Sequence, residues 1–547
     1  MGVKLNFNSK SEEVTSGKSL FEYAEEMDIL VPTSCRKQGK CKECLVEVTE
    51  GMEHLSARQD AESHLKEQFR LSCCTTLTSE SGNISCHTMR RGEMQIERDS
   101  LHFAMSDGQF TKNPSVTKSG TEVMIDGQVV DSCIGPIYGI AMDLGTTTIV
   151  MRLIDLETGD LVADTSFENP QRFGGSDVMS RIQYDTENKG RLLQRTLIGY
   201  INHAIDDFPV DNDSIYELVV VGNSTMRDIF FKLSVYSIGQ NPYQSITEIE
   251  MEEGKRTSTT LTEQPKKVGI HINPKGRIYA LPVISGHVGA DTTACMLAVD
   301  LAHEDRTIAI MDIGTNTELI LGNKNKIFAA SCPAGPAFEG GNISGGMPGL
   351  PGAIERVSID EHGDIKNSVI GNQEAEGICG SGLVDLMSEL LRTDRMNYLG
   401  RFDEEDEIIL HDSKNSEVIF NESDVNELAQ AKGANVAGLH IIFNNYGIGF
   451  DDIDVFYLAG GFGRHLDVES SKRIGLIPNL PNEKIIQVGN AAIEGACVAL
   501  LSKDKRLEME ELALNIEHCK LETHPDFFDY FVEGCQFNPV ETLAKEV

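Results

Sequence analysis

Tyr138–Val150 reads YGIAMDLGTTTIV, and Thr307–Leu321 reads TIAIMDIGTNTELIL. The two stretches share one pattern: an apolar run, Asp, an apolar residue, Gly, Thr, a polar residue, Thr, then a second apolar run. The repeated aspartates, Asp143 and Asp312, lie 169 residues apart. A turn and a third apolar segment follow each copy, through Glu157–Asp160 in the first and Gly322–Asn325 in the second. The spacing predicts a buried strand ending at each aspartate, so that its carboxylate sits at the strand's carboxyl end. Gly145 and Gly314 let the backbone turn tightly and approach a ligand. The amides and hydroxyls of Thr146, Thr147, Thr315 and Asn316 then face an anion. Two such hairpins facing each other would clamp a polyphosphate with its Mg2+, an ion that prefers carboxylates, phosphate oxygens and water.

Around this repeat three more segments fall into place. Gly286–Ala298 predicts a helix ahead of the second hairpin, with Asp291 near its start. Val455–Gly463 (VFYLAGGFG) is an apolar strand running into Gly460, Gly461 and Gly463, where a base or ribose can lie against bare backbone. Asn490–Ser502 (NAAIEGACVALLS) predicts a closing helix.

Four cysteines near the N-terminus carry different chemistry. Cys35, Cys41 and Cys44 form C-x5-C-x2-C, and Cys73 follows in R-L-S-C. A close-spaced run plus one distant cysteine is an iron–sulfur arrangement. Structural zinc sites usually pair two short knuckles, whereas only Cys41 and Cys44 form one here. Cys74 adjoins Cys73 and competes with it for the fourth position. The surrounding residues predict a strand over Val3–Phe7, a helix over Ser19–Met27, and strands near Cys44–Val48 and Asn83–Cys86.

Composition bounds the rest. The chain has 547 residues, a formal net charge of −37 and a pI near 4.7. This excludes a nucleic-acid binder, which needs surplus Lys and Arg, and an anionic membrane surface. No stretch approaches the roughly 18 apolar residues of a spanning helix. The opening MGVKLNFNSKSEEV has no apolar core of a leader, so a cytoplasmic chain is expected. Its 13 cysteines are then not a disulfide framework. Ser106–Gly120 (SDGQFTKNPSVTKSG) has linker composition.

The organisation expected is therefore 1–92, an iron–sulfur module; 93–137, a linker; 138–304, a first lobe; and 305–547, a second lobe.

The cysteine segment resembles the [2Fe–2S] ferredoxin family, which implies a β-grasp fold with Cys35, Cys41, Cys44 and Cys73 as ligands; Cys74 stands where that family usually has Gln. The duplicated hairpins resemble the acetate/sugar kinase, Hsp70 and actin superfamily. That likeness implies two RNase H-like lobes in an α+β and α/β multidomain chain, ATP with Mg2+ between Asp143 and Asp312, and Asp291 positioning the attacking water. Further segments are Asn169–Ile182 (NPQRFGGSDVMSRI), Val219–Met226 (VVVGNSTM), Ala334–Gly340 (AGPAFEG) and Gly377–Gly382 (GICGSG). Together with the iron–sulfur module they resemble the reductive activators of corrinoid proteins. The likeness implies ATP-dependent, one-electron reduction of a corrinoid protein from Co(II) to Co(I) in a methyltransferase system. It also implies a low-potential electron donor and, from the family alone, a homodimer. For one electron, each 59 mV uphill costs about tenfold in equilibrium, which is why ATP would be coupled to the transfer. An activator of a radical dehydratase and a nucleotide-binding redox scaffold are the alternative readings. Gly377–Gly382 is open between lining the nucleotide cleft and meeting the cobalt.

Overall fold

A computed structural model describes residues 2–8, 10–66, 68–89, 111–403, 406–413, 416–461 and 463–541. The N-terminal module is a five-stranded mixed sheet in the order Lys10–Val14, Val3–Phe7, Gly82–Thr88, Leu45–Glu50, Phe69–Leu71. Val3–Phe7 and Gly82–Thr88 run parallel at its centre. The helix Leu20–Glu26 buries Leu20, Phe21, Tyr23 and Ala24. It starts where it does because Ser19 and Glu22 form a reciprocal capping box. This is the β-grasp arrangement. The edge strand Lys10–Val14 gives no apolar signal, since only Val14 of KSEEV is buried.

Each copy of the repeat builds one lobe, and both have the same strand order. The first lobe runs Leu161–Glu168, Thr148–Asp155, Tyr138–Leu144, Ile215–Val221, Arg277–Ala280, with Leu261–Glu263 outermost. The second runs Lys326–Cys332, Thr317–Asn323, Ile308–Asp312, Val455–Ala459, Ile485–Gly489, with Glu517–His518 beside Lys326–Cys332. In each lobe three antiparallel strands are followed by two parallel ones. The central strands are buried, and parallel strands covered on both faces read as continuous apolar runs. Register places Val221 opposite Asp143 and Ala459 opposite Asp312. The chain after each of these strands therefore turns at its lobe's aspartate.

Both turns need glycine. Gly222 (φ 147°) and Gly460 (φ 107°) occupy conformations that disfavour a side chain. A Cβ would lie 2.5 Å from the Leu144 carbonyl oxygen in one and 2.2 Å from that of Ile313 in the other.

Two helices join the lobes, Ala290–Ala298 and Ala491–Leu501. They share a core with both sheets, including Ala141 and Val219 of one and Ile310 and Tyr457 of the other. A Cβ on Gly495 would fall 1.9 Å from the Ala294 carbonyl oxygen, so the helices meet backbone to backbone. The helix Lys503–Ala513 then crosses back to the first lobe, where Arg506 donates to both oxygens of buried Glu217 at 2.8 Å.

The linker reading is corrected over part of its length. Val116–Ser119, Glu122–Ile125 and Gln128–Ser132 form a three-stranded antiparallel meander. It is fastened to the first lobe by Asp131, which accepts from Tyr216 Oη and Asn273 Nδ2 at 3.1 Å each, and by Asp126, which accepts from Arg277 at 2.6 Å. Only Val116 and Val123 are fully buried apolar residues within these strands, so the polar majority hides the alternation. Residues 93–110 of the expected linker, like 90–92 of the expected module, lie outside the described residues.

The N-terminal module is packed onto the first lobe. One hydrophobic cluster runs from Val46 and Leu71 into Leu197 and Ile201. Tyr200 Oη donates to Leu45 O at 3.3 Å, and Tyr184 Oη to His64 O at 2.9 Å.

Candidate functional site

The cleft between the lobes gathers the residues of the repeat. Asp143, Gly145, Thr146, Thr147, Asp291, Asp312, Gly314, Thr315, Asn316, Gly460 and Gly461 line one cavity of about 90 Å3. Gly463 does not reach it: its N–H donates to Gly460 O at 2.9 Å, and its carbonyl accepts from Gln487. Its place is in the turn that shapes the wall.

The cleft is strongly acidic. Asp143 accepts from Asn490 Nδ2 at 2.9 Å, and Asp312 accepts from Cys295 Sγ at 3.1 Å. Burial pushes Asp143 up to about 7, with the charges of Asp291 and Asp312 adding to it against the pull of Asn490. Burial raises Asp312 to about 6, against the Cys295 hydrogen bond. Half-buried Asp291 and buried Glu318 are raised by desolvation and by their acidic neighbours. Among the described residues no three of these four carboxylates bring oxygens within 4.8 Å of one another, so they suit Mg2+, which keeps several waters and takes one or two carboxylates, and whose charge would favour their ionised form. The residues present thus fit Mg2+.

Sequence reasoning missed four of the cleft's side chains. Glu318 interrupts the apolar run TELIL, a charge in mid-strand that could have been noticed. Asn490 caps the helix Ala491–Leu501 through Ile493 N, which points its amide at Asp143. Cys295 lies one turn beyond Asp291. Glu339 is the fourth, and it bridges the two lobes. Its Oε2 accepts from Thr147 Oγ1 at 3.0 Å and from Thr315 Oγ1, and those two hydroxyls lie 2.8 Å apart. Burial raises the Glu339 pKa. The hairpins are thus fastened to one another by a carboxylate. Behind it lies Arg181, fully buried, with Nη2 unpaired.

Asn169–Gly175 links this cleft to the N-terminal module. Asn169 donates through Nδ2 to Gly145 O at 2.8 Å and through its N–H to Thr147 O at 2.6 Å. Three residues on, Arg172 pairs with Glu47 at 3.1 Å, and Phe173 stacks edge-on to His64. Burial would raise Glu47, but His87 and Arg172 outweigh it and hold the carboxyl near 2.

The cysteines form two pairs. Cys44 and Cys73 lie with sulfurs 3.3 Å apart. At Cys35, burial would raise the thiol, but donors from Cys41, through N–H and thiol, and from the N–H groups of Lys40 and Gln38 lower it. Among the described residues, no three cysteine sulfurs lie within 4.8 Å of one another. A tetrahedral zinc site would need all four within about 4 Å. Two pairs set apart fit a two-iron cluster, with amides aimed at the sulfur as such clusters require. Cys74 is turned away from Cys44. Its sulfur lies 3.7 Å from that of Cys73, and a Cβ on Gly39 (φ 65°) would lie 2.8 Å from it, so that thiol sits under the Gly39 turn.

Gly377–Ile378 and the start of the helix Gly380–Arg392 do not line the cleft cavity. Cys379 and Ser381 are buried, and Ser381 Oγ donates to Glu355 O at 3.0 Å.

Comparison with known proteins gives a consistent result along the chain. The 2Fe–2S iron–sulfur cluster binding domain matches residues 4–78, the RACo middle region residues 138–304, and the C-terminal domain of RACo, the ASKHA domain, residues 306–546. The chain is 30% identical to the corrinoid activation enzyme RamQ of Eubacterium limosum, over 92% of this chain and 93% of that protein. It is 26% identical to the [Co(II) methylated amine-specific corrinoid protein] reductase of Methanosarcina barkeri, over 75% of this chain and 79% of that one. A solved structure, a reductive activator for corrinoid, iron–sulfur protein, superposes with a TM-score of 0.71 at 27% identity, covering 98% of each chain.

Proposed function

Because the chain belongs to the RACo family, with a 2Fe–2S domain ahead of its middle region and ASKHA domain, we propose that it is the ATP-dependent reductive activator of a corrinoid protein. It returns that partner's cobalt from Co(II) to Co(I) by one electron. The observation that carries this is the joining, through one core and the Asn169–Gly175 segment, of a paired-cysteine loop to a duplicated carboxylate cleft.

The residues divide the work. Cys35, Cys41, Cys44 and Cys73 would hold the cluster; the 3.3 Å approach of the Cys73 sulfur to that of Cys44 supports Cys73 over Cys74 as the fourth ligand. When bound, the cluster supplies one-electron chemistry. Asp143 and Asp312 hold Mg2+, and the hydroxyls and amides of Thr146, Thr147, Thr315 and Asn316 orient the phosphates. Asp291 holds the attacking water. Gly460 and Gly461 present bare backbone to the nucleoside, with Gly463 shaping the turn.

The cavity of about 90 Å3 is far smaller than the roughly 300 Å3 at the low end of ligand sites. The lobes therefore part to admit the nucleotide, and the Thr147–Glu339–Thr315 contact breaks as they do. Such closure about a bound ligand is how hydrolysis is tied to a change of shape. Among the described residues no helix is long and apolar enough to cross a membrane, and all 13 cysteines are free. Free thiols support a reducing, cytoplasmic setting.

The test is direct. The purified protein is expected to show [2Fe–2S] absorption and an ATPase stimulated by a Co(II) corrinoid protein. ATPase unchanged by that partner would reject the proposal.

A further inference from the structure

The loop that carries three of the four cysteines reverses the charge of the chain. Acidic residues outnumber basic ones 85 to 48 overall, yet residues 35–42 hold Arg36, Lys37, Lys40 and Lys42 and no acid. Arg36, Lys37 and Lys40 are exposed. The backbone there is left-handed at Arg36 (φ 54°), Lys37 (φ 63°) and Lys42 (φ 70°). That region suits Gly, Asn and Asp and is unfavourable for long side chains. Basic residues thus stand at positions where they carry a conformational cost. A further guanidinium comes from the first lobe, where exposed Arg195 donates to Lys40 O at 3.2 Å.

The helix Leu20–Glu26 offsets part of this charge, at Lys37, which also acts on Glu22. Lys37 pairs with Glu25 at 2.5 Å and lies 4.8 Å over the Phe21 ring. Lys42 is turned to the Ala61 carbonyl. Glu43 is buried and engaged by Ser34 and His203. Among the described residues, Arg36 and Lys40 have no ion-pair partner. Leu30, five residues before Cys35, is 66% exposed and adds an apolar contact point.

We propose that this basic collar is the docking surface for the electron donor, and that the donor is a small acidic one-electron carrier protein. The inference rests on the cluster assignment above. In each encounter the carrier's reduced centre loses one electron and the cluster gains one, with no bond made or broken. A donor must arrive and leave for every electron. Exposed charge opposite exposed charge speeds arrival without making the complex long-lived, and electron-transfer interfaces are typically small.

The experiment uses the full-length, cluster-loaded protein and reduced flavodoxin, an acidic one-electron carrier, as the probe. Stopped-flow bleaching of the cluster is followed at low and high salt for the wild type and for the double variant Arg36→Glu, Lys40→Glu. The wild-type rate is expected to fall about tenfold or more with salt. The variant is expected to lose at least tenfold at low salt and to show little salt dependence. A small uncharged reductant is expected to reduce both equally, and surface plasmon resonance to show weaker capture of oxidised flavodoxin by the variant. Equal rates and equal capture would overturn the proposal. So would a shifted cluster midpoint potential with flavodoxin binding unchanged, which would make the collar a counter-charge only. So would a variant that takes electrons normally from flavodoxin but, once pre-reduced, fails to activate a Co(II) corrinoid protein; the collar would then dock that partner. A protein with no cluster at all would reject the underlying function instead.

Discussion

Replacing Glu339 with Gln should tighten nucleotide binding, although it removes a charge from the centre of the site. The carboxylate accepts from Thr147 of the first lobe and Thr315 of the second, the hydroxyls that the phosphates are proposed to use. While that contact stands, those donors are occupied and the hairpins are held together. Hydrogen bonds to a charged acceptor contribute about 1.5–3 kcal/mol, and neutral ones about 0.5–1.5 kcal/mol. Gln keeps the shape and weakens both bonds, by about 2 kcal/mol together. If nucleotide binds only after the contact opens, that difference appears in the apparent affinity, and 1.4 kcal/mol per tenfold makes it about 30-fold. The charge of Arg181 acts in the same direction. It already lies in the field of Glu339, and burial, then the nearby Arg172 charge, depress its pKa to about 9. Less compensated once the Glu339 carboxylate has become an amide, it would attract an entering phosphate more strongly. Titration with a fluorescent ADP analogue in the presence of Mg2+ measures the affinity. An unchanged or weaker affinity in Glu339→Gln would refute the competition and make the carboxylate a supporting part of the phosphate site.

Other outcomes follow from the same geometry. Acidification from about pH 8 to about pH 6 should weaken Mg2+-dependent nucleotide binding, because Mg2+ held as proposed would have to displace protons from Asp143, near 7, and Asp312, near 6. The ligand-free protein should behave oppositely. These groups have raised pKa values when folded, so their stabilising contribution is present at low pH and lost as pH rises through 6 to 7; nucleotide titrations and thermal melts across that range separate the two effects. Cys41→Ala should abolish the visible cluster spectrum while leaving nucleotide affinity in place, and a collapse of both would show that the module is not separable from the cleft. Asp312→Ala should stop ATP turnover with the spectrum intact, and retained turnover would reject its proposed role with Mg2+. Gly495→Ala places a Cβ against the Ala294 carbonyl, and overpacking of this kind costs about 1–3 kcal/mol or more. A clear drop in melting temperature is expected, and an unchanged melt would mean that the helices do not meet as closely as described.

The hairpins and the cysteine loop were legible because their chemistry is local. Asp143 and Asp312 each end a strand within a run of a few residues, and the repeat makes each copy confirm the other. The capping box at Ser19 and Glu22 is likewise written in four residues. What escaped notice depends on distance. Glu339 lies 192 residues from Thr147 and meets it only when the lobes face each other. Asn490 reaches Asp143 across 347 residues. The meander at 116–132 was hidden for another reason: its stability comes from polar links, such as Asp131 to Tyr216 and Asn273, and polar contacts leave no periodic trace.

The same long-range contacts determine what moves with what when the cleft opens. The first hairpin is held by Asn169 at both Gly145 O and Thr147 O. The five residues Pro170–Gly174 form a short helix capped by that same Asn169 side chain. From this helix Arg172 and Phe173 reach Glu47 and His64 of the cluster-bearing module. The module's core is also continuous with the first lobe. Towards the second lobe the arrangement differs: a gap of about 560 Å3 lies between Lys4, Asn6 and His87 on one side and Leu350, Gln373 and Glu376 on the other. Packed contacts transmit displacement, and the two lobes are themselves joined through the core around Ala290–Ala298 and Ala491–Leu501 and the contacts across the cleft. If the lobes part as proposed, the cysteine loop is expected to stay with Asp143, to which Asn169–Gly174 and the shared core tie it, and to shift relative to Asp312. The first hairpin and the cysteine loop are joined through Asn169–Gly174 and one continuous core, so the opening proposed for the cleft is expected to reach the proposed electron port.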